Sequence, residues 1–151
     1  MSSNVLKPLG DAIFGAIGFD ATLLALATGG VFLDIPPNPT FPLVWIELQQ
    51  DQEHGGFGSQ PGRKNKPGVN ARVHVFQSNG GSLRDSQMVM ARVIDLLWND
   101  AAPLVVSGYE VYCSGTPLPD ARTFQFADQE LRGFKVKEAV LMADYMLEKE
   151  T

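Results

Sequence analysis

Two alternating runs, separated by a segment that cannot pack, constrain this chain most. Leu43 to Gln50 places Val44, Ile46 and Leu48 on one side and Trp45 and Glu47 on the other. Val69 to Gln77 alternates more cleanly. Val69, Ala71, Val73 and Val75 point one way, and Asn70, Arg72 and His74 the other. Period-two patterning of this kind specifies two half-buried strands. Between them lie residues 51–68, eighteen positions of which seven are Gly or Pro, with Phe57 the one large apolar side chain. Such a segment buries too little surface to offset its own ordering entropy. A long hairpin loop at 51–68 is therefore expected, and loops of this length usually serve function or stay disordered.

The remaining pattern adds helices before and after this pair. Leu6, Leu9, Ile13 and Ile17 fall at helical spacing. Gly10, Gly15 and Gly18 weaken that helix and predict a short or broken one. Asp20 is placed to N-cap a second piece, Ala21 to Ala27, which Gly29-Gly30 ends. Val31 to Ile35 reads as a strand stopped by Pro36-Pro37-Asn38-Pro39. Ser82 is an N-cap for a helix from Leu83 to about Asn99, with Leu83, Met90, Ile94 and Leu97 on one stripe.

Leu104 to Cys113 reads as a strand and Thr116 to Asp120 as a turn. Arg122 to Ala127 sets Phe124 and Phe126 on one face. Phe134 and Val136 alternate with Lys135 and Lys137. Glu138 to Lys149 suits either helix or strand. The expected fold class is α+β: a mostly antiparallel sheet with helices packed on one face. A chain of 151 residues suits a single domain, 1–151.

Composition removes several function classes. Twelve Lys and Arg against seventeen Asp and Glu leave a formal charge of -5, unlike a globally basic nucleic-acid binder. The single cysteine, Cys113, rules out an internal disulfide or a cysteine-built zinc site. No apolar run approaches the roughly 18–20 residues of a membrane span. The start, Met1-Ser2-Ser3-Asn4, lacks the basic and apolar regions of a signal peptide, so a cytosol-made, reduced chain is expected.

Chemical motifs are equally sparse. There is no nucleophile elbow, P-loop, dinucleotide fingerprint or H-E-x-x-H. Gly55-Gly56-Phe57-Gly58 lacks the Gly-Lys-Ser/Thr and the strand-to-helix setting of a phosphate cradle. Cys113 with His54 or His74 would make a nucleophile and base only with a third orienting group, which is not legible. Cys113 reads instead as a small hydrophobe in a strand. His74 reads as a solvated or interface imidazole. Asp51, Glu53 and His54 are a conceivable metal trio, but on a loose loop they read as solubilising groups. No cofactor and no metal is expected.

Charge layout stands out more. From His54 to Arg84 there is no Asp or Glu, while Arg63, Lys64, Lys66, Arg72 and Arg84 give the window a charge of +5. The rest of the chain then carries -10, since the whole is -5. An acidic body with a basic, glycine-rich arm suits docking on an acidic partner surface or a phosphate backbone. Phe57, Arg63, Lys64, Lys66 and Arg72 are the candidate partner-interface residues. Phe57 would anchor, arginine would clasp a carboxylate or phosphate, and lysine would add attraction at longer range. Trp45 reads as core or subunit-interface packing.

Several segments, taken in order, carry a family resemblance. They are Asp20-Ala21-Thr22-Leu23-Leu24-Ala25-Leu26-Ala27, then Gly29-Gly30-Val31-Phe32-Leu33-Asp34-Ile35-Pro36-Pro37 and Phe41-Pro42-Leu43-Val44-Trp45-Ile46. Val73-His74-Val75-Phe76-Gln77-Ser78 follows and leads through Gly80-Gly81 to Val93-Ile94-Asp95-Leu96-Leu97. Arg122-Thr123-Phe124 and Arg132-Gly133 close the series. In order and spacing, over residues 12–136, the chain resembles the small tail-completion or tail-terminator proteins of long-tailed bacteriophages and gene transfer agents.

The long 51–68 loop and the tail beyond Glu138 depart from that family's pattern. The resemblance implies a homo-oligomeric ring, typically of six copies, on the head-proximal end of a tail tube. Its partners would be the tail tube protein and a head-completion or stopper protein. DNA would pass through the lumen without specific binding. The chain would be assembled in the host cytoplasm into the virion neck. The family supplies no catalytic residues. A head-closure or head-tail adaptor protein, and a small hydrolase using Cys113 and His74, are the competing readings.

Overall fold

A computed structural model of the chain describes residues 6–50, 68–97, 104–113 and 127–149. Three helices and six strands follow one another: α1 (Leu6–Ile17), α2 (Ala21–Leu26), β1 (Gly30–Phe32), β2 (Leu43–Gln50), β3 (Gly68–Ser78), α3 (Leu83–Leu97), β4 (Tyr109–Cys113), β5 (Ala127–Leu131) and β6 (Phe134–Lys149). The strands form one sheet in the order β1-β2-β3-β6-β4, with β5 also paired to β6. Only β1 and β2 run parallel; every other pair is antiparallel. The fold is α+β and mostly antiparallel.

The alternation read from the sequence settles the register. Val44 stands opposite Val75, Ile46 opposite Val73 and Leu48 opposite Ala71. Val75, Val73 and Val69 in turn meet Ala139, Leu141 and Tyr145 of β6. These residues and Leu9, Ile13 and Ile17 of α1, Leu23 of α2, and Val89, Met90 and Val93 of α3 form the main core. The helices therefore lie on one face of the sheet. Leu9, Ile13, Val44, Val75 and Leu141 are fully buried, which makes this layer the source of most hydrophobic stabilisation.

Helix α1 is a continuous twelve-residue helix despite its glycines. Gly10 is buried and faces the sheet, where an added Cβ would come within 3.0 Å of Leu48 Cδ1. A side chain here would press on the end of Leu48 and require it to shift. Asp20 caps α2 as the sequence predicts, its carboxylate accepting the Leu23 N–H at 2.8 Å. The same carboxylate receives two bonds from Arg92 of α3, Nε and Nη2, each at 2.9 Å. One side chain thereby satisfies an orphan helix donor and ties α2 to α3.

The Arg92 guanidinium, with the Leu23 N–H, holds the Asp20 carboxyl below its ordinary range against the opposing effect of burial. The stability it contributes is full above the ordinary Asp value of about 3.9 and is lost as pH falls through the lowered one. Asp20→Asn keeps a capping acceptor but loses the charge. It is expected to unfold more readily at neutral pH and to show a flatter acid limb in a urea-melt series across pH. Asp20→Ala should cost about 1 kcal/mol from the cap alone.

Several expected boundaries shift. The strand expected over Val31 to Ile35 is only Gly30–Phe32. A Cβ at Gly29 would collide with the Thr40 carbonyl, and Gly29 N–H bonds Pro42 O at 2.8 Å, so the proline-rich return packs directly against this turn. The strand expected from Leu104 begins at Tyr109, because Gly108 at φ +82° closes a tight turn with Tyr109 N–H on Val106 O. Residues 114–126, including the Thr116–Asp120 turn, Phe124 and Phe126, lie outside the described residues, as do 51–67. Gly68, expected in the loop, opens β3.

The ambiguous tail resolves as strand. β6 runs sixteen residues from Phe134 to Lys149 and pairs with β3 from Val136 to Met146. Its other edge pairs with β5 at Phe134–Glu138 and with β4 at Tyr145–Lys149. The β5–β6 hairpin closes on Arg132 and Gly133, at φ 50° and 84°. Positive φ at both central residues is the type I′ pattern that matches strand twist.

Candidate functional site

The second face of the sheet, away from the helices, carries the polar positions of β2 and β3. Its positions follow from register: Leu43 opposite Phe76, Trp45 opposite His74, Glu47 opposite Arg72 on β2 and β3. On β6, Glu138 lies opposite Phe76, Val140 opposite His74, and Met142 opposite Arg72.

One half of this face is closed by a satellite core of Leu43, Phe76, Leu131 and Val136, with Phe32, Ile35, Phe41 and Trp45 against it. The segment after β1 crosses here as a strap. The Trp45 indole N–H donates to Leu33 O at 3.1 Å and Arg132 Nη2 donates to Ile35 O at 3.1 Å. Phe41 meets Phe134 edge-on at 6.2 Å. These three tethers fix the strap on the sheet and the hairpin turn.

His74 sits at the border of the closed half. Its ring stacks on Trp45 at 4.5 Å and lies parallel to Phe76 at 5.8 Å. Nδ1 is 3.0 Å from Glu138 Oε2 and Nε2 is 3.1 Å from Glu47 Oε1. The imidazole is 9% exposed, and the two carboxylates are 18% and 31% exposed. One carboxylate thus approaches each ring nitrogen, and the imidazole bridges Glu47 of β2 and Glu138 of β6 across three strands.

Of the two readings of His74, solvated or interface imidazole, the solvated one does not hold, since the ring is nearly buried. The aromatic neighbours and the carboxylates from both flanking strands cover it. Neither Glu47 nor Glu138 stands out in the sequence as a site residue. Glu47 is legible from the alternation of β2, but Glu138 falls at the start of the ambiguous tail and has no local signal.

The carboxylates approach opposite ring nitrogens and do not converge on one point. Among the described residues no group of three or more His, Cys, Asp and Glu is placed to hold a metal. Cys113 pairs with Tyr145 along β6 whereas His74 pairs with Val140, an odd separation that puts the two positions on opposite faces. The structure therefore does not bring the imagined Cys113–His74 pair together.

Of the candidate interface residues, Arg72 stands on this second face opposite Glu47, half-buried. Phe57, Arg63, Lys64 and Lys66 lie outside the described residues, as do Asp51, Glu53 and His54.

Large apolar side chains are exposed on both layers. On the helix side these are Phe19 at 75%, Leu24 at 40%, Met88 at 47% and Leu83. Phe19 and Leu24 flank the Asp20 cap at the spacing of a hydrophobic staple, which accounts for their identity but not for the exposure of Phe19. Leu33 is exposed beside Gly10 of α1, and on the sheet side the exposed residues are Met142 at 57% and Phe134. No helix among the described residues is long and apolar enough to cross a membrane.

No protein-family model matches the chain, and no curated protein matches it. Among solved structures, it is similar to a chain from the virion of a native gene transfer agent particle. The TM-score is 0.59 at 18% identity, with 96% of this chain and 99% of that chain covered. The two chains share a fold over nearly their whole lengths.

Proposed function

We propose that this chain is a tail terminator: a homo-oligomeric ring, with six copies as the expected number, on the head-proximal end of a phage-type tail tube. The observation that carries this reading is the end-to-end fold correspondence with a chain of a gene transfer agent virion. The order of sequence segments points the same way. The exposed apolar residues on both layers add support. A two-fold dimer needs one self-complementary surface, whereas apolar residues exposed on opposite layers suit head-to-tail association, which forms a ring where the rotation between neighbours closes.

In this reading the chain is a single domain that works by occupying space. The two-layer body is a stable wedge, and neighbouring wedges pack around the ring. The ring stops tube polymerisation and presents its other side to a head-completion protein. A 151-residue globule has a radius of gyration of about 15 Å, hence a diameter of about 38 Å as a sphere. Six in contact leave a hole about one subunit wide, enough for a DNA duplex. A net acidic body would keep the passing duplex from sticking. The basic stretch holding Phe57, Arg63, Lys64 and Lys66 would dock on an acidic surface of the tube or the head-side partner.

Tail length tests the assignment. Particles assembled without this chain should carry tails of uncontrolled length in electron micrographs. Normal tails with leaking heads would instead assign the chain as a head-closure or adaptor protein.

A further inference from the structure

We draw no further inference here: the strongest candidate, the uncovered part of the second sheet face around Met142, belongs to the site already described, and nothing in the structure shows what covers it.

Discussion

Deleting residues 55–66 is expected to leave a folded subunit that no longer yields joined particles. The β2–β3 ladder is paired from Leu43–Phe76 to Gln50–Val69, and β3 is held on its other side by β6 from Gly68 to Ser78. Folding energy therefore resides in the ladder and the core beneath it. After the deletion, residues 51–54 and 67 still link the strands, an ordinary loop length. Shortening the link about threefold lowers closure entropy by about 1 kcal/mol, so the melting temperature should hold or rise slightly. Assembly should fail, giving unjoined heads and tails or overlong tails. Replacing Arg63, Lys64 and Lys66 by Gln should reproduce the defect in part, because charge supplies attraction and Phe57 the anchor. Normal infectious particles from the deletion would remove this segment from the mechanism.

His74→Leu is expected to lower the unfolding free energy by about 2–3 kcal/mol. The substitution strands two carboxylates that share one imidazole, and a half-removed buried pair costs more than the pair itself contributes. The partial exposure of Glu47 and Glu138 keeps the figure below that of a fully buried pair. For a chain of this size the melting temperature should fall by roughly 4–12 °C. A triple variant, His74→Leu with Glu47→Leu and Glu138→Leu, should recover much of the loss, since apolar groups then replace the whole bridge. A His74→Leu melt within about 0.5 kcal/mol of the parent would show that the bridge contributes nothing measurable.

These two expectations separate the parts of the molecule legible in its sequence from those that are not. The helix-side core could be read directly, because Val44, Ile46, Val73 and Val75 alternate with polar or aromatic residues, and α1 and α3 carry stripes at helical spacing. Asp20 and Ser82 were legible as caps from residue type and position; Ser82 Oγ accepts the Asp85 N–H at 3.3 Å. The second face was harder. Trp45, His74 and Phe76 appear in sequence as isolated members of two strands, and only the Trp45–His74 register makes them a stack.

Glu138 completes the bridge from the third strand. Its local sequence, rich in Ala, Leu, Met and Glu, favours helix, and tertiary pairing with β3 overrides that preference. β5 was illegible for a similar reason. Ala127 to Glu130 are exposed, so no buried alternation marks them. The Asp128–Lys137 ion pair at 2.6 Å and the Arg132-Gly133 turn become meaningful only once the hairpin is in place.

The central claim is that the chain acts as one repeated segment of a closed collar. Native mass of the purified full chain, alone and mixed with tail-tube protein, tests it most directly. The account predicts a discrete closed oligomer, six copies being the expected number, that caps tube protein and halts its growth. A chain that stays monomeric in both samples while the tube continues to polymerise would contradict it.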